Sequence, residues 1–179
     1  PLAYGFARLT KQATAHRIKD KRILLTLPLA FLFLAGLAQK LPHLLGNGRM
    51  VAQEVINGIS WKTVFLLFIL KALVVLLTLW AGAYGGTLTP SFALGMAGAA
   101  LFTLAFGLES PSTILLIGAV CFLTVTLKAP LSAIGLVIGF TGQGLDALPY
   151  LLLTAFLTAG LSKGLDRLMG RKIKESSGR

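Results

Sequence analysis

From Trp61 to Trp80 the chain is an apolar run of 20 residues with a tryptophan at each end, Lys62 beside the first of them and Lys71 as the charge in its middle. It then breaks into Ala-Gly-Ala-Tyr-Gly-Gly-Thr-Leu-Thr-Pro, residues 81 to 90, before a second apolar run begins. About 20 apolar residues is the length a helix needs to cross a bilayer, and terminal aromatics sit where the hydrocarbon meets the headgroups. Backbone inside hydrocarbon must satisfy its own hydrogen bonds, so a glycine-rich break between two such runs is tolerated only where protein or a watery cavity surrounds it.

The break also has a polarity. Gly82, Gly85 and Gly86 remove side chains where backbone turns or approaches something closely, and Pro90 has the pre-set φ favoured in a helix's first turn. The N–H groups of Gly86, Thr87, Leu88 and Thr89 are therefore expected at an unsatisfied, partially positive helix end, which attracts anions. The bland reading of Gly85 to Pro90 is a structural turn between two membrane helices.

Composition fixes the class. The chain is 55% hydrophobic and 13% charged, with a mean hydropathy of +0.81, against about a quarter charged residues in soluble domains. The net charge of +11 gathers at the ends: Arg8, Lys11, Arg17, Lys19, Lys21 and Arg22 come before the apolar segments, and Lys163, Arg167, Arg171, Lys172 and Lys174 after them. The positive-inside rule places both ends in the cytoplasm of a cell's inner or plasma membrane. No zinc spacing, basic helix pattern or stacking platform accompanies that charge, so nucleic acid is not an expected partner.

Further apolar segments run from Ile23 to Ala38, Ser91 to Phe106, Ser112 to about Leu127, Leu131 to Phe140 and Pro149 to Ser162. Between them lie a turn-rich break at Leu41 to Arg49, a polar stretch with a short interfacial helix expected over 51–58, a turn at Glu109-Ser-Pro111, Lys128-Ala-Pro130, and a loop from Thr141 to Asp146. Ser112 or Thr113 is placed to cap the helix that follows. Gly95, Gly98, Gly135 and Gly160 are small enough to let helices approach closely, within one subunit or between two. The expected fold is all-α, a polytopic membrane protein of short, broken and tilted helices. Residues 1–22 read as a basic cytoplasmic segment and the end of a preceding helix, 23–165 as the transmembrane domain, and 166–179 as a basic tail whose last residues are an expression-tag remnant or a short native end. An opening at Pro1 suggests a piece of a longer polypeptide.

Two segments resemble the C-terminal half of the CLC chloride channel and transporter family. The family's Gly-Gly-x-Phe-x-Pro pattern is similar to Gly85-Gly-Thr-Leu-Thr-Pro90, and its Arg-Ala-Pro-Leu-Thr segment to Lys128-Ala-Pro-Leu-Ser132. Lys71 corresponds to a basic residue often found before the glycine motif. The resemblance implies the second half of an inverted-repeat fold, a homodimer, and transport of a halide, chloride or fluoride, as a channel or an anion/proton antiporter. By position, the anion-coordinating amides fall on Thr87 and Leu88, with Gly85 and Gly86 giving the approach and Thr89 adding a hydroxyl. Leu88 stands in place of the usual Phe, Gly139 where many members have Glu, and no tyrosine follows residue 150. The family's gating-glutamate and serine segments have no counterpart here and are expected in a missing N-terminal half. Donors at Thr87 and Thr89 favour the fluoride-exporting subgroup, because a small, strongly hydrated ion needs its water replaced. The alternative is that each hydroxyl bonds its own helix's carbonyl.

The remaining polar residues have bland readings. Lys71 snorkels or pairs within the protein, Lys128 anchors at an interface, Arg49 is a loop charge, and Glu54, Glu109 and Asp146 lie in polar breaks. His16 and His43 lack metal-ligand spacing, and Cys121 alone builds neither a disulfide nor a metal site. No nucleophile, His and acid constellation is present, so neither an enzyme nor a cofactor is expected. The competing non-transport reading is a structural membrane subunit that completes a partner's fold.

Overall fold

The computed structural model describes residues 2–41, 60–107 and 112–176. The expected turn at 42–49, the helix over 51–58 and the positions of His43, Arg49, Glu54 and Glu109 lie outside the described residues.

Among the described residues, seven α-helices and one 3-10 turn make up the fold, with no strand. They are α1 (Leu2–Ala15), α2 (Ile23–Lys40), α3 (Trp61–Trp80), α4 (Leu88–Ala105), α5 (Ser112–Leu127), α6 (Pro130–Thr141), a turn at Leu145–Ala147, and α7 (Leu148–Ser176). Three apolar stretches are long enough to cross a membrane: Trp61–Trp80, Leu88–Ala105 and Leu145–Arg167. The helices Ser112–Leu127 and Pro130–Thr141 are apolar but shorter. The fold is therefore that of a multi-pass membrane protein built partly from short helices, as the sequence implied.

α4 is the centre of the molecule. Phe92, Leu94, Ala97 and Ala100 on α4 pack with Leu115, Ala119 and Leu123 on α5 and with Val64, Phe68 and Val75 on α3, all buried. What brings α4 and α5 together is the absence of two side chains. A Cβ on Gly95 would lie 2.6 Å from the Gly118 carbonyl oxygen and 2.7 Å from Ala119 Cα, and one on Gly118 would collide with the Gly95 carbonyl and Ala99. Each glycine thus occupies the other's missing volume, the close approach that small residues permit in membrane helix pairs. A Cβ on Gly98 would lie 3.8 Å from the Phe68 ring of α3, whereas one on Gly135 or Gly160 would meet nothing within 4 Å outside its own helix.

α1 joins this core. Phe6 is buried, with its ring 5.6 Å from that of Phe122. α6 starts with Pro130 at its first turn and ends at Gly142 in a left-handed conformation with φ 66°, whose N–H donates to Ile138 O at 2.8 Å. That is the glycine stop expected for a helix C-terminus. Phe140 meets Phe92 edge-on at 5.4 Å and ties α6 to α4.

Two expectations shift. Ser112 is already the first residue of α5, inside the helix and not flanking it. The last helix does not stop near Ser162 but continues to Ser176. The basic segment after Ser162 is rich in Leu, Lys and Arg, good helix formers, and no proline interrupts it.

Candidate anion site at the break between α3 and α4

The two helix ends at this break are treated oppositely. At the C-terminus of α3, Gly82 adopts φ 109°, Ala83 N–H donates to Thr78 O at 3.0 Å and Gly82 N–H to Leu79 O at 3.3 Å. This pair of bonds is a Schellman closure. Two further carbonyls are covered from outside the helix: Ile18 N–H donates to Trp80 O at 3.1 Å, and the Thr26 hydroxyl to Ala81 O at 3.1 Å. The negative end of α3 is thereby satisfied by protein. Gly82 is required here, since a Cβ would lie 2.5 Å from Ile23 Cδ1 and 2.9 Å from Ile18 O.

The N-terminus of α4 is left open. Thr87 flanks the helix with φ −87° and ψ 6°, its carbonyl accepting from Ser91 N–H at 2.9 Å, and its side chain makes no capping bond. The first amides of a helix have no partner within it, so Leu88 and Thr89 N–H remain as orphan donors at the positive end of the dipole. The hydroxyls of Thr87 and Thr89 have no hydrogen-bond partner among the described residues, unlike Thr126, Thr141 and Thr154, which bond back to their own helices. Gly85 and Gly86 are exposed, and a Cβ on either would meet nothing within 4 Å.

Gly85, Gly86 and Thr87 line a cavity of about 810 Å³ between this loop, α1 and the end of α5. Leu88 and Thr89 are not on its lining, and the Leu88 side chain packs against the main core. Lys11, Arg17, Lys19 and Lys128 also line the cavity, and no acidic residue does. A concave surface of one sign focuses its field and raises the local concentration of counter-ions. Arg17 is held over the Tyr84 ring with its guanidinium carbon 4.2 Å from the centroid, and its Nε is buried without a hydrogen-bond partner.

Deeper in, two more hydroxyls are unsatisfied. Ser91, one turn into α4, and Thr124 on α5 are buried, and neither Oγ has a partner. Because α4 and α5 run antiparallel with Gly95 against Gly118, Ala119 and Phe122, residue 91 lies at the level of the last turns of α5. A buried hydroxyl without a partner costs about 1–3 kcal/mol, so these are donors in an otherwise apolar interior.

The sequence picked out the loop but not its basic surround. Arg17 and Tyr84 are 67 residues apart, and the contact that places Arg17, Ile18 N–H on Trp80 O, is a backbone bond with no side-chain signal. Lys71 lies partly buried on α3, ten residues before Ala81, and is not on the cavity lining.

Spanning helices interrupted by an open helix N-terminus at a basic cavity define an integral membrane protein equipped for anions. The chain belongs to the voltage-gated chloride channel family, whose family model matches residues 1–163. Membership carries anion transport across membranes, in proteins that act as channels or transporters and not as enzymes. Comparison with curated proteins and with solved structures gives no significant match.

Proposed function

We propose that the protein moves a halide ion, fluoride or chloride, through a site formed by the N-terminal end of α4, with Gly85 and Gly86 giving access and Thr87, Leu88 and Thr89 supplying donors. The observation that carries this reading is the unpartnered start of α4 beside a cavity lined by Lys11, Arg17, Lys19 and Lys128 and by no acid. The ion leaves its water at the basic cavity and exchanges it for backbone N–H groups, a neutral set of donors that holds an anion without trapping it. Conduction needs that weak binding. The other wall belongs to a partner N-terminal half, and proton exchange depends on a glutamate supplied there. Fluoride is favoured by the free hydroxyls of Thr87 and Thr89, since a small ion gains most from added donors. A homodimer with both ends of this chain in the cytoplasm completes the proposal, with Gly135 and Gly139 on an exposed face of α6 as contact points.

The test is the full-length protein in liposomes, with chloride and fluoride followed by selective electrodes. Efflux of either ion, faster than in protein-free vesicles, is the expected result. A folded protein that releases neither ion would overturn the transport reading and leave the structural-subunit role.

A further inference from the structure

A second groove runs between α1 and α7 over α5 and shares Lys11, Val125 and Lys128 with the cavity at the α3–α4 break. It consists of two cavities that share Tyr4, Val125 and Ser162. One, of about 400 Å³, is walled by Ala3, Cys121, Thr158, Leu161 and Leu165. Two of its three hydroxyls are already engaged, Thr158 donating to Cys121 Sγ at 3.2 Å and Tyr4 to Asp166 Oδ1 at 2.7 Å, and the third is that of Ser162 at the junction with the polar cavity. Apart from Ser162, what it offers a guest is carbon. It adjoins the outer surface of α7, where Leu161 is 72% exposed and Leu153, Phe156 and Leu157 are exposed too, a face suited to hydrocarbon.

The other cavity, about 420 Å³, is lined by Arg8, Lys11, His16 and Lys128. Arg8 and Lys11 follow Tyr4 at helical spacing and share its face of α1. Asp166 is the one acid on this lining, and both its oxygens are engaged, Oδ1 by Tyr4 and Oδ2 by Lys128 Nζ at 3.4 Å. The polar end therefore keeps an excess of positive charge, and it sits where the chain's basic ends gather. A basic pocket between membrane helices, continuous with an apolar slot, matches a molecule with one anionic head and a hydrocarbon tail.

We propose that this groove binds one anionic phospholipid, with its phosphate among Arg8, Lys11 and Lys128 and an acyl chain along Cys121, Thr158 and Leu161. The lipid would strap α1 to α7. This inference rests on the membrane placement of the chain and not on the halide site.

The test uses the full-length protein in phosphatidylcholine nanodiscs containing a minority of a photoactivatable phosphatidylglycerol whose reactive group is on the acyl chain. Illumination is expected to label peptides spanning residues 158–165. The double variant Arg8→Gln, Lys11→Gln, on an exposed helix face, should reduce labelling about fivefold for each charge removed. Ser162→Leu, which narrows the slot and leaves every charge in place, should also reduce it. Excess glycerol phosphate should not compete. Labelling unchanged in both variants, labelling confined to other segments, or full competition by glycerol phosphate would each overturn the proposal. The last would mean a free-phosphate site, and label elsewhere with a silent groove would mean that another part of the polypeptide fills it. Because Lys11 lines both cavities, halide flux is compared in the Ser162→Leu variant, whose site of change is not on the cavity at the break, so failure of either reading does not decide the other.

Discussion

Helix α4 carries glycine-dependent structure at two places that work in opposite senses. At its middle, Gly95 is pressed against Gly118 so closely that a Cβ would lie 2.6 Å from backbone. Just before its start, Gly85 and Gly86 face open space with nothing within 4 Å of a Cβ. The first pair serves the fold, because a missing side chain lets two helices meet. In the proposed function the second serves access to the helix end, where a missing side chain would let an ion reach backbone N–H groups. The same residue type at both places conceals that division, and substitution is the way to expose it.

The largest effect is expected from Gly118→Val. Its side chain would meet the Gly95 carbonyl and Ala99, and backbone cannot yield as the end of a side chain can. Overpacking of this kind costs about 1–3 kcal/mol and more where backbone must move, so little folded protein should survive extraction. Size-exclusion chromatography in detergent reads this out, and a monodisperse, wild-type-like profile would dissolve the comparison. Gly82→Ala comes next. Its φ of 109° and the Ile18 carbonyl 2.9 Å away make alanine strained and crowded. The left-handed cost of about 1–2 kcal/mol should appear as a lowered melting temperature.

Gly86→Ala should do the reverse. With a φ outside the left-handed range and open space around it, alanine costs the fold nothing and can add about 0.4–1 kcal/mol by restricting the unfolded chain. Halide flux should nevertheless fall, by roughly ten- to a hundredfold if one charge-assisted hydrogen bond worth about 1.5–3 kcal/mol is lost. A variant as active as its parent would mean that the open glycines have no part in ion access. Thr87→Val sharpens the point further. Loss of a hydroxyl donor should weaken fluoride by about 1 kcal/mol, roughly fivefold, and chloride less. Equal titration heats for variant and parent would remove the hydroxyl from the site.

How much of this was legible in the sequence follows from where each cause resides. The spans, the break and the helix starts at Leu88 and Pro130 are written locally, in apolar length and in the placement of glycine and proline. Family membership followed from two short motifs, and the match over residues 1–163 agrees. The Gly95–Gly118 contact is half legible, since Gly95 reads as a packing residue but nothing local points to its partner 23 positions away. The basic lining of the cavity was not legible at all. Arg17 and Lys19 looked like cytoplasmic charge, and only the bond from Ile18 N–H to Trp80 O turns that segment back over the break. Nor did the sequence foretell that α7 continues to Ser176, because an anchoring basic tail and a basic helix have the same composition.

Lys128 carries the smallest predicted effect and tests the comparison from outside α4. It has a φ of 57°, the one positive value outside glycine among the described residues, and its N–H donates to Thr124 O at 2.9 Å. This is the position after α5 where glycine is the usual residue, and a lysine there pays about 1–2 kcal/mol in backbone strain. Its exposed ion pair with Asp166 returns little of that, since surface pairs are worth about 0–1 kcal/mol. Lys128→Gly should therefore raise the melting temperature slightly while removing one charge from both the cavity at the break and the groove between α1 and α7. A gain in stability joined to weaker anion flux or weaker lipid labelling would show that the strain is retained for the charge. A gain in stability with both functions intact would make Lys128 a simple helix stop, leaving Arg17, Lys11 and Lys19 to supply the field at the start of α4.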